Sequence, residues 1–203
     1  MFSYIRRIRI KICCIYNKFK LKSHRIAYGY NLIVTGILTI KKDKGSISIG
    51  NNVTIHSGKY DIPIGYPQRT SFWIIGNGKI NIGNNCGLSN CSICSLDQVS
   101  IGDNVLLGGG VKIYDTDFHS VNWEKRRNIF SDNDRRAKPV IIQDDVFIGA
   151  GTTILKGTTI GSRSIIGAGS IVSGTIPADE IWAGNPARRI RGINNEDNVD
   201  NKC

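Results

Sequence analysis

The sequence predicts an all-β protein whose strands wind into a parallel β-helix of hexapeptide repeats. Six consecutive hexapeptides, each beginning with Ile or Val, run from Ile142 to Pro177 and read IQDDVF, IGAGTT, ILKGTT, IGSRSI, IGAGSI and VSGTIP. One hexapeptide cannot bury its own apolar side chain, whereas stacked hexapeptides share an interior into which every sixth side chain points. Gly, Asn, Asp and Ser cluster between these positions, where the chain must turn. A β-sandwich would instead alternate apolar and polar residues with a period of two.

The same period occurs upstream and contains two irregularities. Hexapeptides open at positions 49, 55, 82 and 88 and again at Ile101, Leu107 and Ile113. Between Leu88 and Ile101 the count is off by one residue, which predicts a bulge or an altered corner. After Ile113 the next hexapeptide would begin at His119, but the chain returns to the repeat only at Ile142. Residues 119–141 are therefore predicted to form a long excursion loop, which in a tight solenoid indicates a functional segment.

Residues 1–25 form a separate basic segment ahead of the repeats. They contain eight Lys and Arg residues and no Asp or Glu, in a chain whose net charge is +11. Apolar residues recur at spacings close to one helical face: Phe2, Ile5, Ile8, Ile12, Ile15, Tyr16 and Phe19. Such a segment could lie on an anionic membrane, or it could pack across the end of the β-helix with its charges in solvent. No nucleic-acid motif accompanies the charge, so no nucleic-acid partner is predicted.

The expected compartment is the cytoplasm, with the protein either soluble or peripheral at the inner face of the membrane. No segment approaches the roughly 20 apolar residues needed to span a bilayer, and the N-terminus does not resemble a signal peptide. Cys91 and Cys94 have the CxxC spacing of some metal or redox pairs. No second cysteine pair or histidine pair completes a zinc site, so we interpret both as small residues that fill space in the β-helix.

Chemistry is expected where the repeat breaks, at His119. The three histidines are His24, His56 and His119, and their spacing does not place two of them on one coil, so no metal site is predicted. A single histidine suits general-base work, because its unperturbed pKa lies near neutrality. Asp115 and Asp117 could orient the imidazole, or both could make only turn hydrogen bonds. His119 could also be a buried structural residue.

These motifs together resemble a known family. The IG-containing hexapeptides, the DTDFH run at 115–119 and the IWAGNPARRIR run at 181–191 are similar to the left-handed β-helix acyltransferases. The likeness covers residues 26–191 and is greatest to the branch of maltose, galactoside and polysaccharide O-acetyltransferases. It implies left-handed coiling, a homotrimer with active sites between adjacent subunits, and acetyl-CoA as the donor, with no metal. Residues 192–203 carry no packing signal and are expected to form a flexible tail.

The resemblance also implies roles for particular residues. His119 matches the catalytic base, and a backbone N–H near Ala150 matches the oxyanion donor. Residues expected on the acceptor side, to bind or orient it, are Asn90, Asp115, Asp117 and Trp123. Residues expected to contact the coenzyme are Ala150, Ala168, Ser173, Gly174, Arg188 and Arg191. Some relatives carry Thr-Lys where this chain has Ser173 and Gly174, which removes one expected phosphate contact.

The function expected from these residues is transfer of an acetyl group from acetyl-CoA to a hydroxyl of a sugar or surface-glycan precursor. Two alternatives stay open at this stage. One is acetyl-CoA-dependent transfer to a non-sugar acceptor or an amino group, as in serine or amino-sugar acetylation. The other is a trimeric β-helix scaffold that contacts membranes and has no catalytic activity.

Overall fold

The computed structural model describes residues 2–58, 66–128, 130, 132 and 134–193. Most of the expected tail, from residue 194 onwards, lies outside the described residues. The chain begins with helix α1 (Phe2–Ser23), whose side chains are described from residue 7. It then winds through three parallel sheets, which form the three faces of a left-handed β-helix. The fold class predicted from the hexapeptides is confirmed.

Each coil of the β-helix contributes one strand to each sheet, and the strands are numbered in chain order. Sheet 1 contains β1 (Ala27–Tyr28), β4 (Ser46–Ile49), β7 (Lys79–Ile82), β10 (Gln98–Ile101), β13 (Val140–Ile142), β16 (Thr159–Ile160) and β19 (Thr175–Ile176). Sheet 2 contains β2 (Ile33–Gly36), β5 (Thr54–Ser57), β8 (Gly87–Ser89), β11 (Leu106–Leu107), β14 (Phe147–Ile148), β17 (Ile165–Ile166), β20 (Glu180–Gly184) and β21 (Ala187–Gly192). Sheet 3 contains β3 (Thr39–Lys42), β6 (Ser71–Ile74), β9 (Ser92–Ser95), β12 (Lys112–Tyr114), β15 (Thr153–Ile154) and β18 (Ile171–Val172). The first, second and third corners join sheets 1 and 2, sheets 2 and 3, and sheets 3 and 1.

The interior is a column of stacked, mostly aliphatic side chains from the strands of all three sheets. In sheet 1 the buried residues Ile82, Ile101, Ile142, Ile160 and Ile176 pair in register from coil to coil. Three hexapeptides therefore make one coil, because Ile142 and Ile160 are adjacent in space and 18 positions apart in the sequence. The column forms a single continuous apolar cluster, and burial of its Ile, Leu and Val side chains is the main stabilising term.

Asparagine allows the chain to turn at the first corner. Asn31, Asn52, Asn85 and Asn104 all have φ between 53° and 58°, in the left-handed region that Asn tolerates better than most side chains. Their amides form a ladder, in which each Nδ2 donates to the side-chain oxygen of the next coil at 3.0–3.1 Å, ending at Asp145. The hexapeptide polar positions therefore bond neighbouring coils as well as turning the chain.

The altered corner predicted between Leu88 and Ile101 is confirmed. Ile93, five positions after Leu88, pairs with Ile113, which is six positions after Leu107, so the second corner of this coil is one residue shorter than that of the next coil. The buried side chain of Asp115 lies at the following corner, between β9 and β10. It accepts hydrogen bonds from the Ser95 hydroxyl at 2.7 Å and from the backbone N–H groups of residues 96 and 97 at 2.8 and 2.9 Å.

Two excursions leave the column. The first runs between β12 and β13, so it begins at residue 115 and ends at residue 139, slightly wider than the predicted 119–141. Its stem is a short antiparallel pairing of residues 115–117 with 136–138, and it carries helix α2 (Trp123–Arg126). The second excursion, residues 58–70 between β5 and β6, was not predicted, and residues 59–65 of it lie outside the described residues.

The two ends of the β-helix are covered differently. At the N-terminal end α1 packs against sheet 2, where the buried Asn17 donates to the Gly36 carbonyl at 2.8 Å and accepts from the Leu38 N–H at 3.0 Å. Leu21 of the same helix is fully buried. At the C-terminal end β21 pairs antiparallel with β20. Among the described residues, no helix is both long enough and apolar enough to cross a membrane.

Candidate functional site

His119 lies two residues beyond the stem of the first excursion, and its imidazole is bonded to a carboxylate. Its Nδ1 is 2.9 Å from Oδ2 of Asp132, whose side chain is fully buried. Asp132 also accepts the N–H of Ser120. Because a carboxylate accepts hydrogen bonds and does not donate them, this geometry places the proton on Nδ1 and leaves the Nε2 lone pair available. The His119 side chain is 57% exposed, so the imidazole is accessible to a reactant.

The aspartates that the sequence offered as orienting groups have other partners. Asp115 accepts its hydrogen bonds at the corner between β9 and β10, which is the turn hydrogen bonding that the sequence left open as its role. Asp117 lies 2.9 Å from Nζ of Lys156, and its N–H donates to the Arg136 carbonyl. The residue that bonds the imidazole is Asp132, which sequence reasoning missed. It lies 13 positions after His119 in an irregular loop, and no period relates the two.

An aromatic groove lies at the start of the first excursion. It is formed by Trp73 on β6, Tyr114 at the end of β12, and Phe118, the residue directly before His119. Trp73 and Phe118 stack with ring centroids 5.9 Å apart, and Tyr114 meets the edge of Phe118 at 5.2 Å. The groove has a volume of about 200 Å³, and the Lys41 Nζ lies 4.6 Å from the Trp73 ring centroid. Trp73 was not identified from the sequence, because its strand lies outside the uninterrupted hexapeptides.

The small residues expected to face the coenzyme stack at the second corner. Gly169 N–H donates to the Ala150 carbonyl at 2.8 Å, which places the Ala168 corner directly beside the Ala150 corner, as predicted. A Cβ on Gly149 would lie 2.5 Å from the Ala168 nitrogen, so the backbones are in close contact there. Ala150 is partly exposed and Ala168 is exposed. The two residues form a shallow strip with little side-chain bulk.

The remaining coenzyme candidates lie elsewhere on the column. Ser173 and Gly174 are exposed at the third corner, between β18 and β19. Arg188 and Arg191 are exposed on β21. Between them, Arg189 forms an ion pair with Glu180, with 2.7 Å between Nε and Oε1.

A single chain does not bring all these groups together. The strands of sheet 3 begin at the second corner, near Ala150 and Ala168, and end at the third corner, near His119 and Ser173. A flat face of about five residues at about 3.3 Å per residue separates the two corners by roughly 15 Å. The candidate base and the Ala150–Ala168 strip are therefore on opposite edges of the same face.

Asn90 and Trp123 do not contact the His119–Asp132 pair in this geometry. Asn90 is fully buried at the second corner with φ 51°; it accepts the Gly58 N–H at 2.8 Å and donates to the Tyr66 carbonyl. It thereby holds the second excursion against the column. Trp123, at the start of α2, is 55% exposed, and the Arg127 guanidinium lies 4.2 Å from its ring centroid.

The cysteines of the repeats are buried free thiols. Burial raises the pKa of both Cys91 and Cys94 to about 12, and the negative Asp115 also raises that of Cys94. Both thiols are therefore protonated at neutral pH, whereas a nucleophile or a metal ligand needs the thiolate. This supports their interpretation as space-filling residues. No group of three or more His, Cys, Asp or Glu residues in the described part of the chain could hold a metal ion.

Comparison with known proteins finds the same repeat. The family model of the bacterial transferase hexapeptide (six repeats) matches residues 139–174, and that of the hexapeptide repeat of succinyl-transferase matches residues 98–113. The galactoside O-acetyltransferase of Escherichia coli is 41% identical over 120 residues, which is 58% of this chain and 56% of that enzyme. The chain thus spans little more than half the length of such curated relatives.

Solved structures share the fold. A hexapeptide-repeat acetyltransferase from Vibrio cholerae has a TM-score of 0.60 and 24% identity, covering 95% of this chain and 90% of that one. A variant of AntD, an N-acyltransferase from Bacillus cereus solved with dTDP-4-amino-4,6-dideoxyglucose and coenzyme A, has a TM-score of 0.66 and 19% identity. It covers 87% of this chain and 89% of that chain. At these identities the likeness shows a common β-helix.

Proposed function

We propose that this chain, whose repeats match the transferase hexapeptide models, moves an acetyl group from acetyl-CoA to a hydroxyl of a sugar or glycan precursor. The observation that carries this proposal is the His119–Asp132 pair, which lies where the repeat is interrupted and directly follows Phe118 of the aromatic groove. A base of this kind is needed to deprotonate a hydroxyl, whose own pKa is far above neutrality. A scaffold without catalysis would not require a buried carboxylate on an exposed imidazole.

The proposed reaction assigns a role to each end of the imidazole. Asp132 keeps the proton on Nδ1, so that Nε2 takes the proton of the acceptor hydroxyl as its oxygen attacks the thioester carbonyl. The carbon–sulfur bond then breaks, and the imidazolium returns the proton to the departing thiolate. A backbone N–H near Ala150 is proposed to stabilise the oxyanion.

The separation of the two edges of sheet 3 supports a site shared between copies. In a trimer of parallel prisms, His119 of one protomer would face the Ala150–Ala168 strip of its partner. The small side chains of that strip would let the pantetheine arm lie along the backbone. The groups needed for the reaction are about 15 Å apart within one chain. We therefore propose a homotrimer, in which neighbouring copies bring them together.

The aromatic groove is proposed to receive the acceptor. Sugar rings have apolar faces that pack on aromatic side chains, and the Ser71 and Ser92 hydroxyls in the groove wall can hydrogen-bond to sugar hydroxyls. Sugars, amino sugars and serine offered separately, with thiol release from acetyl-CoA as the readout, distinguish the sugar hydroxyl from the alternative acceptors. The proposal requires the highest kcat/KM with a sugar hydroxyl; a preference for serine or for an amino group would replace it with one of the alternatives.

Substitution of the C-terminal arginines is expected to act on coenzyme binding. Arg188→Ala and Arg191→Ala should each raise KM for acetyl-CoA by about tenfold with a smaller change in kcat, because phosphate contacts far from the thioester give mostly uniform binding. Arg189→Ala is the matched control, since it lies between them and pairs with Glu180. If KM is unchanged in both variants, or if it rises equally in the control, these arginines do not bind the coenzyme.

Substitution of Asp132 is expected to act through His119. Asp132→Asn should lower kcat by about 10–100-fold, the loss typical when the partner that orients a metal-bound histidine is removed, and should alter the pH dependence of kcat/KM. The reason is that an amide can present its N–H to Nδ1 and thus favour the wrong tautomer. Asp134→Asn is the control, because it removes an exposed carboxylate of the same loop that pairs with Lys125. If both variants share the wild-type pH profile, Asp132 has only a structural role.

A further inference from the structure

Helix α1 has two apolar faces on opposite sides. One face, around Cys14, Asn17 and Leu21, packs on the first coil, where the Cys14 thiol bonds to the backbone of Val34. At 100° per residue, a second set of apolar residues occupies an arc of about 100° on the other side of the helix. We call this set the outer stripe; its residues and exposed fractions are Ile8 42%, Ile12 61%, Ile15 70%, Tyr16 50% and Phe19 73%.

Basic residues border the outer stripe along both edges. On the same helical projection, Arg7, Lys11, Lys18 and Lys22 follow one edge. Arg9 follows the other edge together with Lys20, whose Nζ donates to the Leu38 carbonyl at 2.8 Å. No acidic residue occurs in the chain before Asp43. The first coil already buries one side of the helix, so the outer stripe is an apolar surface surrounded by positive charge.

We propose that the outer stripe binds the surface of an anionic membrane, with α1 lying in the plane between the bilayer and the first coil. The chemistry fits this occupant on two counts. Five large apolar side chains in one row can enter the boundary between headgroups and acyl chains, and the flanking Lys and Arg can reach the phosphates beside them. The positive rim is also attracted to the negative surface potential of anionic lipid.

Charge disfavours a second copy of the chain as the occupant. Two copies of α1 packed stripe to stripe would bring two positive rims together, with no acidic residue on either helix to offset the repulsion. A lipid surface supplies the missing negative charge. This inference does not depend on the proposed enzyme activity, because it rests on α1 and the first coil alone.

The test is flotation of full-length protein with vesicles. We expect binding to vesicles that contain phosphatidylglycerol, little binding to pure phosphatidylcholine, and release as salt rises from about 0.05 M to about 0.5 M. Phe19→Gln should lower the partition coefficient by about tenfold or more, because it removes one of the largest inserted side chains. Circular dichroism and thermal unfolding of this exposed-site variant should match wild type.

Two double variants show whether membrane binding depends on where the positive charges lie or only on the net charge. Lys18→Gln with Lys22→Gln removes two charges from the rim, and Lys44→Gln with Lys79→Gln removes two exposed charges at the third corner, one before β4 and one at the start of β7. The rim variant should bind about tenfold or more weaker, at about 1 kcal/mol per basic residue, and the corner variant should bind as wild type does. The proposal is wrong if wild type does not float with anionic vesicles, or if the two variants lose binding equally. It is also wrong if Phe19→Gln separates the copies of an oligomer in sedimentation velocity without changing flotation.

Discussion

His119→Ala is expected to lower kcat by at least about 100-fold, the lower range for loss of a general base. The variant should still fold and bind acetyl-CoA, because His119 is exposed and the strip proposed for the coenzyme lies at the other edge of sheet 3. The ratio of wild-type kcat to variant kcat should decrease at high pH, where the acceptor hydroxyl depends less on a base for its ionisation. The measurement is thiol release from acetyl-CoA at saturating acceptor, with oligomeric state checked by sedimentation.

His24→Ala is the matched control for that experiment. It makes the same side-chain change at the end of α1, where His24 Nδ1 contacts the Lys20 carbonyl at 2.9 Å. Its turnover should equal that of wild type. Turnover by His119→Ala within a few-fold of wild type would remove His119 from the role of base.

Asp115→Ala is expected to lower the free energy of unfolding by about 3 kcal/mol. The substitution leaves the N–H groups of residues 96 and 97 without their acceptor in a partly buried corner, whereas the Ser95 hydroxyl can still donate to the Lys79 carbonyl at 2.9 Å. Buried donors without partners cost more than the net value of the hydrogen bonds themselves. Urea unfolding followed by circular dichroism measures the difference.

Asp117→Ala serves as the control for stability, since it lies two residues further along the same stem. Its carboxylate makes a partly exposed ion pair with Lys156, and such pairs contribute about 0–1 kcal/mol. We expect Asp115→Ala to lose clearly more unfolding free energy than Asp117→Ala. Equal losses of unfolding free energy in the two variants would mean that the Asp115 carboxylate does not stabilise the corner between β9 and β10.

The sequence predicted the column because a period of six places every sixth side chain in the shared interior. Each Ile or Val at a hexapeptide start meets its counterpart one coil away, so Ile142 and Ile160 pair without any further information. The off-by-one count between Leu88 and Ile101 located the altered corner for the same reason. The second excursion was not predicted, because residues 58–70 carry no period of six in the sequence.

The site was only partly predictable. His119 could be located by counting, since it follows the break in the repeat, and the stacking of Ala150 on Ala168 followed from three hexapeptides per coil. Asp132 and Trp73 could not be found this way. Their approach to His119 and Phe118 depends on how an irregular loop folds back and on which strands become neighbours after an excursion.

The central claim is that this chain uses acetyl-CoA, and calorimetric titration of the wild-type protein with acetyl-CoA tests it most directly, without needing the acceptor. We expect one molecule bound per chain, with the stoichiometry retained in His119→Ala. The account would be contradicted if no binding were detected at about 1 mM acetyl-CoA, a limit that corresponds to only about 4 kcal/mol of binding free energy, while circular dichroism shows the folded β-helix.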